Sequence, residues 1–333
     1  MASSPTVPPR DRGIDAVRGV AVLSMFVAHF APGPADVVQL SDHLTAPLFG
    51  FLVAWGAFLG RDRPGVLVST LVRAAALVGI GLALEQVGAP IIIVLVWLGA
   101  LTLLAAVLVR LPSWAVAAVG LTCLALVPSA ARWGDARITS WRTAEVLAGR
   151  DAQGLVPRLY ELTVSGQAYR LTTLLVMAAA AVLLARHDGP WTRLVSLGTA
   201  LVAATTLQLA DLTGRVEVVP YATTHQTQVF ALALVVTVVQ AVRAVADAVT
   251  PFAGLLAPLG AMTLSVYVVQ ILASAWWVRD GWHVRDESWP LLAALGAVSF
   301  ALALTWPRVV RPDPWRRGPI EGVERATVDL LRR

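Results

Sequence analysis

Three residue types that can hold an anion or move a proton share one apolar, helix-length stretch. Residues 12–30 read Arg-Gly-Ile-Asp-Ala-Val-Arg-Gly-Val-Ala-Val-Leu-Ser-Met-Phe-Val-Ala-His-Phe. Asp15, Arg18, Val22, Met25 and His29 recur at steps of three and four, so a helix puts them on one face. Arg18 and His29 are then about 16 Å apart along the helix axis. An imidazole near neutrality suits a general base. A guanidinium suits an anionic donor, and Asp15 can brace it. Ionisable groups inside a membrane span cost ~2.5–3.5 kcal/mol each and usually face a bundle interior or a wet cavity. The plainer alternative is an Asp15–Arg18 pair snorkelling at one interface and His29 at the other.

Other chemistry-bearing residues are scattered along the chain. Asp42 and His43 stand side by side before a second apolar run. Arg61 and Arg63 follow that run, and Arg73 lies about 10 Å inside a third. Together with Arg10 and Arg12 these arginines can line a phosphate-binding face, or simply set topology. Thr263, Tyr267, Gln270, Ser274 and Trp277 recur at four, three, four and three, giving one polar and aromatic helix face. Its plainer role is hydrogen bonding between helices. Gln167, Tyr169, Arg170, His225, Gln226 and Gln228 are polar residues at the mouths of later runs. The sequence has no His/Cys metal spacing, no phosphate-binding Gly-rich loop after a strand and no Gly-x-Ser-x-Gly elbow.

The elements that must position these groups are membrane helices. The chain of 333 residues is 57% hydrophobic and 14% charged, with a mean hydropathy of +0.71. Soluble domains average ~25% charged residues, so the composition is that of an all-α polytopic membrane protein. The length accommodates one such domain and no large soluble one. Runs long enough to span lie near 13–31, 44–60, 66–86, 90–109, 112–130, 169–186, 191–210, 226–246, 256–278 and 289–306, predicting a bundle of about ten transmembrane helices. Every one of the 26 basic residues is Arg. They concentrate in connections that fall on one side of such a bundle, which predicts both termini cytoplasmic. The net charge of +5 is thereby topological and no nucleic-acid signal. Cys123 lies in an apolar run, has no partner cysteine, and reads as a small buried hydrophobe.

Outside the spans, residues 1–12 read as a disordered cytoplasmic tail without signal-peptide features. The external connection 131–168 is long enough to expect short helices over Ser140–Leu147 and Leu155–Thr163, with Trp133 and Trp141 at the interface. Residues 307–333 read as a basic cytoplasmic tail. Pro319 starts an amphipathic helix there, with Ile320, Val323, Leu330 and Leu331 on one face, held by membrane lipid.

The run at 12–21 followed by His29 resembles the opening helix of the transmembrane acyltransferase superfamily. That superfamily holds acyltransferase-3 proteins, heparan-α-glucosaminide N-acetyltransferases and YeiB-like membrane proteins. The run Gly-Ala-Met-Thr-Leu-Ser-Val-Tyr-Val-Val-Gln at 260–270 is similar to a YeiB-like motif, with Ala261 where an Arg is usual. Gly-Pro-Ile-Glu at 318–321 is similar to a terminal YeiB-like run. The resemblance is strongest over residues 12–60.

It implies an enzyme of the plasma membrane that moves an acetyl group from cytoplasmic acetyl-CoA, its co-substrate, to a glycan or glycolipid acceptor at the outer face. His29 and Asp15 would be catalytic, and Arg18, Arg61, Arg63 and Arg73 would hold the donor. Tyr267 and Gln270 would lie on the substrate side. The heparan family keeps its catalytic His between the first two spans, which makes His43, beside Asp42, the rival base. Two other classes stay open: a transporter or lipid-handling protein using the same buried polar face, and an inactive relative serving as a scaffold. The acceptor, the acyl chain and the oligomeric state are not legible.

Overall fold

The computed structural model describes residues 11–33, 36–149, 154–166, 168–279 and 287–332. Residues 1–10 of the expected N-terminal tail, Arg10 among them, and Gln167 lie outside them; Asp11 and Arg12, expected in that tail, instead cap and begin the first helix. The chain folds into α1 (Arg12–Phe30), α2 (Asp36–Gly60), α3 (Val66–Glu85), α4 (Leu95–Leu108), α5 (Ser113–Leu147), α6 (Leu155–Tyr160) and a π-helical turn (Glu161–Ser165). Then come α7 (Leu171–Arg186), α8 (Pro190–Leu212), α9 (His225–Ala248), α10 (Thr250–Ala261), α11 (Thr263–Arg279), α12 (Trp289–Val309), a 3-10 turn (Trp315–Arg317) and α13 (Pro319–Leu331). Among the described residues all regular structure is helical.

Seven of these helices (α1, α2, α3, α5, α8, α9 and α12) are long and apolar enough to cross a membrane. Helices α10 and α11 meet at 68° and pass the same test only as a pair, while α4 and α7 are apolar but shorter. This is the architecture of a membrane protein.

Helix α1 is the hub. It packs against α2, α9, α10, α11 and α12, and two-thirds (67%) of its apolar window is buried, against 6% for α8. The charges of α1 thus sit on the most enclosed helix, and α8 presents its apolar side outward to lipid. The tightest crossing is α1 on α10. A Cβ added at Gly19 would collide with the Leu256 carbonyl, and one at Gly260 with the Asp15 carbonyl. Only glycine lets the two backbones approach so closely, as in small-residue packing between membrane helices.

Three expectations from the sequence change. First, α5 runs unbroken to Leu147, 35 residues or about 52 Å, so the first part of 131–168 is helix and the expected Ser140–Leu147 segment is the end of α5. Its buried stripe of Val127, Ala131, Gly134 and Ile138 continues past the apolar run. That stripe packs on the π turn, where Gly134 meets Val164. The segment expected over Leu155–Thr163 is α6 running into that turn.

Second, the run at 90–109 becomes helical only at Leu95. Pro90 cannot join a helix interior, and the Val94 N–H donates instead to the Tyr267 hydroxyl (3.3 Å). Third, the run at 256–278 breaks at Met262. The break leaves N–H groups at the start of α11 without helical partners, a cost unless something accepts from them. Glu321 of α13 does so: its Oε1 accepts from the N–H of Leu264 (2.9 Å) and of Ser265 (3.1 Å). Ser265 Oγ donates to Oε2 (2.5 Å). The tail helix is thus docked at the α10–α11 break as well as lying amphipathically, with Leu330 and Leu331 exposed.

Candidate functional site

Asp11 caps α1, accepting from the Ile14 N–H (3.0 Å). One turn on, Arg18 Nη1 donates to the buried Asp15 carboxylate at 2.7 Å. The guanidinium extends toward α2, where Nη2 lies 3.3 Å from the position a Cβ would take on Gly56. The expected face is real in part: Asp15, Val22 and Met25 are buried, and Arg18 and His29 are half-buried. Val22, Met25 and Phe26 are at most 1% exposed. Packed apolar side chains therefore fill the stretch between Arg18 and His29, where a long ligand would have to displace them.

At the far end of α1, His29 meets α11. Gln270 Nε2 donates to His29 Nδ1 at 2.5 Å, which puts the imidazole proton on Nε2. Gln270 is fully buried and its Oε1 has no partner among the described residues. Rotating this amide by 180° would let Oε1 accept from Nδ1–H and free the Nε2 lone pair, the tautomer a base needs. Phe30 stands edge-on to His29 with centroids 6.2 Å apart. Tyr267, one turn before Gln270, is buried and tied to Val94. On the expected face of α11, Thr263 bonds the Gly260 carbonyl, Tyr267 accepts from the Val94 N–H and Gln270 meets His29.

Asp42 and His43 lie elsewhere, at the start of α2. His43 is buried edge-on against Phe230 of α9 (5.0 Å between centroids) and hydrogen-bonds the Val218 backbone. Asp42 accepts from the Tyr221 hydroxyl at 2.9 Å. With Tyr169, Arg170, Tyr221 and Gln228 these two residues line a cleft of ≈ 40 Å³. Burial, then the Asp42 charge, push the Tyr169 phenol up to about 12, against the bond from Tyr221. Burial and the neighbouring Tyr169 and Asp42 push Tyr221 up as well. Both phenols are therefore protonated donors throughout the neutral range.

The arginines expected to hold a donor do not form one group. Arg61 stacks on Phe58 at 3.8 Å and pairs with the exposed Asp62 at 3.2 Å. Arg63 is exposed in the same turn. Arg73 is exposed on α3, off the buried stripe of Ala74, Leu77, Gly81 and Leu84. Among the described residues it has no ion pair.

The most enclosed arginine among the described residues is one read from sequence only as a topological charge. Arg243 of α9 is 2% exposed and donates in a fork to Asp188 (3.1 and 2.7 Å). It lies over the Trp55 ring at 4.9 Å and 3.8 Å from Asp11. Burial would raise the Asp188 carboxyl, but bonds from Arg193 and Arg243 outweigh it and hold the group down to about 2. Nothing in spacing marks Arg243, because its partners come from the α7–α8 turn and the start of α1. Among the described residues no group of three or more His, Cys, Asp or Glu side chains is placed to hold a metal ion.

No family model matches the chain, and no curated protein matches it.

Proposed function

We propose that this chain is a membrane-embedded acyltransferase of the plasma membrane. It would pass an acetyl or related acyl group from cytoplasmic acyl-CoA to a hydroxyl or amine of a glycan or glycolipid at the outer face. The observation that carries this is the pairing of two groups on the most enclosed helix. An arginine braced by a buried carboxylate (2.7 Å) lies at one end and an imidazole held by a buried amide (2.5 Å) at the other. In the proposed bundle of about ten spans both termini are cytoplasmic, which the distribution of arginine supports.

In the reaction, with the Gln270 amide turned so that its Oε1 accepts from Nδ1–H, His29 Nε2 removes the proton from the acceptor hydroxyl as its oxygen attacks the thioester carbonyl. The C–O bond forms, the C–S bond breaks, and the thiolate leaves and is reprotonated by the imidazolium. Gln270 is a positioning residue that sets the tautomer of His29. The edge-on packing of His43 on Phe230 and its tie to Val218 favour His29 over His43 as base. Arg18 would attract the anionic donor, with Arg61 and Arg63 one turn beyond Gly56.

The break between α10 and α11 (68°) is the observation favouring transport instead, since transporters often build their sites on discontinuous helices. The test is transfer of labelled acetyl from acetyl-CoA in membranes carrying wild type, His29→Ala or His43→Ala, with glycans added as acceptors. Loss in His29→Ala alone supports the reading. A wild type that is neither thermally stabilised by acetyl-CoA nor able to transfer label overturns it and leaves transport.

A further inference from the structure

The cleft at the start of α2 holds a charge arrangement that the proposed reaction leaves unused. Arg170 is 7% exposed, a burial that normally requires a carboxylate partner. It has none within ion-pair distance among the described residues; Asp135 acts on it only from farther away. Its Nε donates to the Val164 carbonyl (3.1 Å) and its Nη1 to the Tyr221 carbonyl (3.5 Å). The Nη2 N–H groups have no protein acceptor among the described residues.

In the same cleft, Asp42 uses one carboxylate oxygen for the Tyr221 hydroxyl, and the other has no hydrogen bond among the described residues. Tyr221 is held there in an unfavourable conformation. Its φ is +64°, a left-handed backbone that a bulky residue adopts at a cost of about 1–3 kcal/mol and that clusters at binding sites. The loop is fixed on either side of it. Asp211 accepts from the Val218 N–H (2.8 Å), and Thr227 Oγ1 donates to the Val219 carbonyl (3.3 Å).

A free anion would meet the Asp42 carboxylate and a cation would meet Arg170, so neither fits the pair. A hydroxyl both donates and accepts. Two adjacent hydroxyls can donate to Asp42 and accept from Arg170 at once. The ≈ 40 Å³ of space suits that size, about three waters' worth. Tyr169 and Tyr221, edge to face at 5.9 Å, offer apolar wall for the carbons behind them. We infer that the Asp42–Arg170 cleft binds a vicinal diol, the edge of a sugar ring. Only the further step, that this diol belongs to the acyl acceptor, rests on the reading above. In support of that step, Ser24 of α1 and Thr45 of α2 are joined at 2.8 Å, so the cleft opens at the end of the bundle where His29 lies.

The test is saturation-transfer NMR on the full chain in nanodiscs, with methyl glucoside and methyl mannoside as probes. Tetrahydropyran-2-methanol, a ring without a vicinal diol, and inorganic phosphate serve as controls. The expected result is transfer to the glycosides and none to either control. Arg170→Lys and Asp42→Asn should each weaken glycoside binding tenfold or more, with thermal unfolding confirming that the variants fold. If they do not fold, the contrast between glycosides and the diol-free ring in wild type still decides. Equal transfer to the diol-free ring, binding of phosphate alone, or no glycoside binding by a protein that binds acetyl-CoA would each overturn the diol site and leave acyl transfer standing. Glycoside binding without acetyl-CoA binding would keep the site and remove the enzyme.

Discussion

The amide of Gln270 and the ring of His29 form the smallest unit in the molecule with a chemical consequence. Replacing Gln270 by Leu keeps the volume and removes the group that selects the tautomer. We expect transfer to fall ten- to a hundredfold, with KM for acetyl-CoA unchanged, because the donor end of α1 is untouched. His29→Ala should lose transfer altogether, and steady-state kinetics on the pair separates positioning from proton transfer.

Asp188 gives a second residue-scale outcome. Its folded pKa of about 2 lies below its ordinary 3.8, so folding releases its proton. Its contribution is complete above the unfolded value and fades as pH drops from about 4 to 2. Because Asp188 is exposed, solvent screening holds that contribution to about 1 kcal/mol or less at neutral pH. Asp188→Asn should remove that acid-sensitive portion of stability, read as a flatter melting temperature between those pH values.

At this scale sequence spacing served Asp15, Arg18 and His29 well, since all three lie on one helix. It marked Arg170 only as a polar residue at the mouth of a run and Arg243 only as a topological charge, because Tyr221 and Asp188, which they meet, lie in segments distant in sequence. No local pattern encodes such contacts.

Among the elements, the α1–α10 crossing leaves the least freedom. Gly260→Val would drive a branched side chain into the Asp15 carbonyl. Overpacking of this kind typically costs ~1–3 kcal/mol. We expect a lower melting temperature and weaker acyl-CoA binding together, because the strain falls on the residue that braces Arg18.

The cap on α11 behaves differently. Burial raises the Glu321 carboxyl against the donors from Ser265 and Leu264, so the folded chain holds that proton more tightly than the unfolded one. The proton-linked part of its contribution to stability is present below the ordinary glutamate range and is lost as pH rises through the raised value. Glu321→Ala should cost roughly 1–2 kcal/mol, as loss of a helix cap does. It should also loosen the tail, which limited proteolysis would detect.

The helices themselves were legible. Each of the ten apolar runs coincides with a helix or, at 256–278, with parts of two. The break at Met262 was not, because hydropathy is continuous across it and only contact with Glu321, 56 residues away from Ser265, reveals the interruption. The extension of α5 was hidden for a related reason. Its polar second half has too little apolar character to read as a span, and its buried stripe packs on 161–165 and not on lipid.

For the whole molecule the sidedness of the arginines is the testable quantity. In a background where the single Cys123 is replaced by Ser, cysteines at Arg63 and at Val219 should react with a membrane-impermeant maleimide from opposite sides of sealed vesicles. Labelling of both from one side would contradict the proposed topology. The exposed apolar faces of α3, α5 and α8 belong to the same scale. Leu67, Leu71, Leu121, Leu126, Leu201 and Val202 are each more than half exposed, as expected of surface covered by acyl chains and not by protein.

The bond from Glu321 to the start of α11 also has a meaning in time. A ribosome makes Glu321 56 residues after Ser265, which at about 5–20 residues per second is a delay of several seconds. Until Glu321 is made, the first N–H groups of α11 lack their native acceptor, and the contacts of α10 and α11 with α1 must hold the break without the tail. The newborn protein therefore passes through a stage in which the start of α11 is a bare helix end beside α1. A chaperone or membrane-embedded protease that recognises such an end could tell an unfinished copy from a finished one by that feature alone.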